Sequence, residues 1–212
     1  MPNLAGLLPR DTWTETHIER VEGRLEISAT NEALLGLPML WQDQHIEIMD
    51  LERPTYLKSN VHEVRFGDLT AVTKIATFQW SIPGMENESR VYEAIEDECH
   101  RQPSWDKFVP QVIAQLTEHG RTVGVLLQKL NGRYASLRDL RSCEDALRRL
   151  HALGIVHGDV NRYNFVVDDV SGHASLLDFE HAELWSAEEL AVNANLYQKN
   201  WLRRLERVDR RG

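Results

Sequence analysis

Three oxygen-bearing side chains stand at spacings that suit work on a phosphate. Asp159 and Asn164 lie five residues apart in Gly154-Ile155-Val156-His157-Gly158-Asp159-Val160-Asn161-Arg162-Tyr163-Asn164-Phe165, just after a helical stretch. Asp178 follows fourteen residues later in Leu176-Leu177-Asp178-Phe179-Glu180, beyond a turn at Ser171-Gly172. Mg²⁺ is a hard cation that takes carboxylate and amide oxygens. Phosphoryl transfer also needs a carboxylate beside the attacking hydroxyl, to orient it and accept its proton. A hairpin between Asn164 and Asp178 brings both oxygens to one edge of a sheet.

The elements that must position these groups can be read from pattern. Residues 61–66 and 69–78 read as strands joined by the tight-turn dipeptide Gly67-Asp68. Pro54 reads as a break before them, and Ser81-Ile82-Pro83-Gly84 as the end of the sheet segment. Residues 86–98 read as a helix, with Val91, Tyr92 and Ile95 at helical spacing and Glu93, Glu96, Asp97 and Glu98 on a solvated face. Val109–Ala114 and Val123–Leu130 form a strand pair around Glu118-His119-Gly120. Leu137–Leu153 is a helix capped by Gly154. Strands follow at Asn164–Val167 and Ala174–Leu177, and a helix spans most of 188–208, ending in Arg203, Arg204, Arg207, Arg210 and Arg211. Near the start, Thr12-Trp13-Thr14-Glu15 has capping-box spacing and predicts a short helix. Leu25–Ile27 and His45–Met49 read as strands. A strand-rich half thus precedes a helix-rich half, which is α+β with two unequal lobes. The expected division is an N-terminal extension over 1–45, one lobe over 46–130 and a second over 131–212.

Composition narrows the function classes. The chain has 212 residues, with 42% hydrophobic and 27% charged, the balance of a globular protein. Lys+Arg is 24 against Asp+Glu 33, so the net charge is −9. An acidic chain is a poor binder of phosphate backbones, so no nucleic-acid partner is expected. No apolar run approaches the roughly 20 residues that cross a bilayer, and no signal-peptide core is present, so no membrane association is expected either. Cys99 and Cys143 make no metal-ligand or CxxC pattern, and a reducing, cytoplasmic setting is expected for them.

His157-Gly158-Asp159, Asn164 and Asp178-Phe179-Glu180 together resemble the catalytic loop and metal motif of the protein-kinase-like superfamily. The HGD form resembles the aminoglycoside-phosphotransferase-like branch, and the fuller string resembles small kinase-like proteins of filamentous fungi. The resemblance covers about residues 55–180. It implies a bilobal protein-kinase-like fold with an antiparallel-sheet N-lobe and a reduced helical C-lobe. It implies ATP and Mg²⁺ as cofactors, with Asp159 as catalytic base and Asn164 and Asp178 as metal ligands. Lys74 matches the strand lysine that contacts the α/β-phosphates, and Glu88 the helix glutamate that pairs with it, with Glu86 and Glu93 as competitors. The segment Leu126-Leu127-Gln128-Lys129-Leu130-Asn131-Gly132 matches the hinge, so Gln128 and Leu130 are candidates for holding the adenine.

The chain departs from that pattern in four places. No glycine stands between Gly36 and Gly67, where a glycine-rich phosphate loop belongs; the segment reads Arg53-Pro54-Thr55-Tyr56-Leu57-Lys58-Ser59-Asn60. Lys58, Ser59 and Asn60 could meet phosphate only through side chains. Gly158 replaces the arginine of the HRD form, which predicts no activation by loop phosphorylation. Glu180 replaces the last glycine of DFG and adds a carboxylate near the metal. Only 34 residues follow Asp178, too few for a peptide platform unless a protein partner completes the lobe. Three functions stay open. The first is transfer of the ATP γ-phosphate to a small-molecule hydroxyl. The second is a pseudokinase or regulatory subunit. The third is a kinase fold turned to non-phosphoryl acid/base chemistry in specialised-metabolite biosynthesis.

Overall fold

A computed structural model describes residues 14–31, 35–38, 41–102, 108–186, 188–190 and 192, with only the backbone at 53 and 54. The chain divides into two units, residues 1–36 and 37–212. The helix expected over 188–208 lies almost wholly outside the described residues, as does the Arg-rich end.

The first unit is a hairpin of β1 (Glu15–Val21) and β2 (Arg24–Thr30), with Ile18 opposite Ile27. Glu22 and Gly23 both take positive φ, 47° and 82°, which is the turn geometry whose twist suits a two-residue hairpin. The helix expected from the Thr12–Glu15 spacing does not form at Glu15, which opens β1 instead. A capping box contributes little when the following residues, Thr16, Ile18 and Val21, are β-branched and have a cross-strand partner.

The second unit opens on a six-stranded sheet of order β3-β7-β8-β6-β5-β4. Its strands are β3 (His45–Glu47), β4 (Glu52–Lys58), β5 (Val61–Phe66), β6 (Leu69–Ile75), β7 (Val112–Glu118) and β8 (Arg121–Gln128). All pairs are antiparallel except β3 with β7, which is parallel. Pro54 does not break the chain. It lies within β4, the edge strand, where a missing N–H costs no ladder bond, and the register slips between Glu52 and Thr55 to accommodate the segment. Ile48 and Met49, expected to extend β3, instead form a single 3-10 turn with Asp50. Gly124 sits opposite Ile75 in β6, and a Cβ there would meet the Lys74 carbonyl at 2.1 Å. Glycine at this position lets β8 close against the strand that carries Lys74.

The helix α1 (Ile82–Arg101) begins four residues earlier than the pattern indicates. Pro83 is a helix starter rather than a sheet terminator, because its fixed φ suits the first turn and its missing N–H is not needed there. Met85, Glu88, Ser89, Val91, Tyr92 and Ile95 are buried along one face. Met85, Val91, Tyr92 and Ile95, together with Leu127, Val125 and apolar residues of the later elements, make the main core; Ile46, Val64, Ala71, Ala114, Leu116, Val123 and Leu126 make a second core on the sheet.

After the sheet come β9 (Arg133–Tyr134), α2 (Leu140–Ala152), β10 (Ile155–Val156), β11 (Phe165–Val167), β12 (Ala174–Leu176) and β13 (Glu183–Leu184). Strands β12, β11 and β9 form a small antiparallel sheet, and β10 pairs with β13. Helix α2 buries Cys143, Ala146, Leu147 and Leu150 and is closed by Gly154 at φ +75°. The segment carrying Asp159 and the segment carrying Asp178 are stitched together by backbone. Leu177 N–H donates to the Asn164 carbonyl (2.9 Å), and the buried His157 donates its Nε2–H to the Leu177 carbonyl (2.8 Å).

Candidate active site

Lys74 points from β6 into the core and is only 4% exposed. A bare buried ammonium is costly, so its partners must be charged. Glu88, on the apolar face of α1, pairs with it directly. Asp178 Oδ1 lies at 2.7 Å and Glu180 Oε1 at 2.9 Å. Burial alone pushes the Lys74 ammonium towards neutrality, but the Glu88 and Asp178 carboxylates overcome this and raise its pKa above the usual lysine value. Glu88 is pushed up by burial, against the pull of Lys74. Asp178 behaves oppositely. Burial would raise it, but Lys74 and Lys58 hold it at about 2. Tyr92, one turn beyond Glu88, has its phenol pushed well above the usual value by burial and then by the Glu88 charge.

Of the candidates Glu86, Glu88 and Glu93, only Glu88 reaches Lys74 in a described ion pair. The reason is present in the sequence. Glu88 is in helical phase with Met85, Tyr92 and Ile95, so it rides the buried stripe, whereas Glu86 and Glu93 do not.

Asp178 has φ +68°, one of three non-glycine residues in the left-handed region among the described residues. That region is uncommon for a side-chain-bearing residue, though Asp tolerates it. The segment after it is clamped by Asn87 of α1. The Asn87 side-chain amide donates to the carbonyls of Phe179 (3.3 Å), Glu180 (3.3 Å) and Ala182 (2.7 Å). Gly84, at the start of α1, leaves room for the Glu180 side chain; a Cβ there would lie 3.4 Å from it. Neither Asn87 nor Gly84 shows a motif, because their partners lie more than ninety residues away.

On the other side of Leu177, Asp159 Oδ2 accepts from Asn161 Nδ2 (3.1 Å) and Asn164 Nδ2 (3.3 Å). Asn164 also donates to the Asp159 carbonyl (2.8 Å). This spends the Asn164 amide nitrogen and leaves its Oδ1 with no donor among the described residues. Gly158 is held at φ +77°, and a Cβ there would meet the His181 carbonyl at 1.8 Å. The arginine of the HRD form therefore has no room in this loop. His157 is fully buried, and burial lowers its pKa, so it serves as a neutral strut and not as a base.

A cavity of about 440 Å³ is lined by Asn164 and by Lys58, whose Nζ pairs with Asp178. Leu57, Val61, Val72, Leu127, Val166 and Leu177 give it apolar walls, and Lys58, Asn164 and Gln128 are among its polar lining. Tyr134 and Tyr163 stand edge to face at 5.3 Å along one side, a pair that no spacing rule picks out. Gln128 donates its backbone N–H to the Gln111 carbonyl (2.8 Å), so that amide is not available to a ligand. Leu130 keeps both its backbone N–H and C=O without a partner among the described residues. A planar base between apolar walls, read by backbone groups at one end, fits this space. The Asn164 Oδ1, Asp178 and Glu180 oxygens are the hard donors a Mg²⁺ ion takes.

Residues 124–209 match the lipopolysaccharide kinase (Kdo/WaaP) family. That family is part of the protein-kinase-like superfamily, and the match spans 86 of the 212 residues. The chain's mixed architecture, with the sheet-rich part first and few helices among the described residues, is consistent with a reduced kinase-like fold. No curated protein matches the chain significantly. The family match and the site geometry both support a kinase-type phosphotransferase. No described helix is long and apolar enough to cross a membrane.

Proposed function

We propose that this chain moves the γ-phosphoryl group of ATP to a hydroxyl of a small molecule. The observation that carries the reading is the buried Lys74. It is held at once by Glu88 of α1 and by Asp178, more than a hundred residues away, and Lys58, which also pairs with Asp178, lines the apolar cavity.

In this reading the apolar walls and the Leu130 backbone hold the adenine, and Lys74, fixed by Glu88, holds the α/β-phosphates. Asn164 and Asp178 hold Mg²⁺, with Glu180 beside them. Bound Mg·ATP supplies an electrophilic phosphorus and a charge-neutralised leaving group. Asp159 orients the acceptor hydroxyl and takes its proton, while the Asn161 and Asn164 amides fix its carboxylate. The matched family is named for lipopolysaccharide, so saccharide hydroxyls are the acceptors to try first.

Two measurements test this. Mg·ATP at a hundredfold over Kd should stabilise the protein by about 2.7 kcal/mol in a thermal-shift titration. Asp159→Asn should retain that shift and lose about 10²- to 10⁴-fold in transfer rate. A chain that shows no shift with Mg·ATP, or unchanged transfer by the Asp159→Asn variant, ends the proposal.

A further inference from the structure

A lysine on the edge strand is unexplained by the reading so far. Lys58 ends β4, and the connection to β5 is only Ser59-Asn60, since Lys58 pairs with Val61. Two residues that both carry a Cβ make too short and too bulky a loop for backbone N–H groups to wrap a triphosphate. The Lys58 side chain, which lines the cavity, instead reaches Asp178, with its Nζ 3.0 Å from Asp178 Oδ2. Asn60 leans the same way, with Nδ2 3.5 Å from Glu180 Oε1.

Both oxygens of Asp178 are thus covered by ammonium groups, Oδ1 by Lys74 and Oδ2 by Lys58. The two lysines differ in their freedom. The Lys74 side chain is 5% exposed and has two more carboxylates on it; that of Lys58 is 57% exposed, and Asp178 is its single ion-pair partner among the described residues. A divalent cation arriving at Asp178 needs an oxygen, and Lys58 is the group that can yield one. An ammonium released there faces the cavity it already lines.

We propose that Lys58 is the phosphate-binding residue that stands in for a glycine-rich loop, and that it exchanges Asp178 for nucleotide phosphate when the metal binds. The proposal rests on the ATP reading above and extends it to a residue outside the family motif. It makes Lys58 act with opposite sign in two equilibria. Without nucleotide it competes with the metal, and with nucleotide it adds a charge-assisted contact to phosphate.

The test uses Lys58→Ala and Lys58→Gln in the full chain, with Mn²⁺ binding followed by electron paramagnetic resonance and nucleotide binding by calorimetry. Mn²⁺ alone should bind both variants several-fold more tightly than the parent chain. In the presence of metal, ATP should bind them about tenfold more weakly, while adenosine binds all three chains equally. Lys58→Arg should restore the ATP affinity. Equal ATP affinity in all chains, or Mn²⁺ affinity that falls in the variants, overturns the role of Lys58 and leaves the kinase reading standing. A parent chain that binds adenosine and ATP not at all overturns both.

Discussion

Two charge clusters each send one side chain, Arg133 and Lys58, to the same cavity, and they are built in opposite ways. At one end, Arg133 grips Asp139 through two parallel hydrogen bonds of 2.7 and 2.8 Å, and Asp139 also accepts from the Ser136 N–H and hydroxyl. Arg133, Ser136 and Asp139 lie within seven residues of chain, Asp169 Oδ1 adds one more distant contact to Arg133 at 3.3 Å, and the Asp139 carboxylate is saturated by its neighbours. At the other end, Glu88, Asp178 and Glu180 crowd Lys74 and Lys58, three carboxylates against two ammoniums, with oxygens within 4.8 Å of one another. Its members come from four separated stretches. A saturated local pair holds a turn in place. An over-supplied cluster of distant groups has capacity left for an incoming cation, as the proposed metal-holding role of Asp178 requires.

The contrast can be broken most forcefully at Lys74. Lys74→Ala strands the buried Glu88 carboxylate, and unfolding by denaturant should show a loss of about 3–5 kcal/mol together with loss of Mg·ATP binding. Adding Glu88→Leu to a Lys74→Met chain should recover most of the stability and none of the nucleotide binding. Recovery of both would place this cluster in the same class as Arg133–Asp139.

Asp139→Asn should cost less, about 1–3 kcal/mol, and leave Mg·ATP affinity unchanged. This pair also predicts a pH signature. The hydrogen bonds from Arg133 hold the Asp139 carboxyl well below the usual carboxylate range. A group depressed in the folded state stabilises fully above its unfolded pKa, near 4, and loses that contribution as the pH falls below it. Melting midpoints of the parent chain should therefore drop more steeply below about pH 4 than those of the Asp139→Asn variant. Parallel curves would show that the pair contributes nothing to acid stability.

The smallest effect belongs to Lys129–Glu63, a 2.8 Å pair at the cavity rim with both side chains partly solvated. Glu63→Gln should change stability by no more than about 1 kcal/mol, and added salt should shrink the difference. A larger loss, or one that also lowers adenosine affinity, would make the rim part of the binding surface.

Much of this arrangement is legible without coordinates. Local hydrogen bonding and period decide hairpins and helices, so the β5–β6 and β7–β8 pairs and α2 fall where pattern puts them, give or take a few residues. The errors have local causes too. Pro83 reads as a stop because the same residue that breaks a strand also opens a helix, and Pro54 reads as a break because nothing in the chain marks β4 as an edge. The β-branched run from Thr16 overrides a capping signal whose helix has no apolar stripe to bury.

The sequence by itself determined which oxygen and nitrogen atoms are present and in what order, because the Asp159, Asn164 and Asp178 spacing reflects short-range turn and hairpin geometry. Tertiary structure alone decided which carboxylate meets Lys74, that Asn87 clamps the Asp178 segment, that Gly158 excludes a side chain, and that Lys58 reaches Asp178. Each of these is a contact between residues far apart in the chain, set by how the sheet, α1 and the Asp178 segment pack. No spacing along the chain encodes a distance that only packing creates.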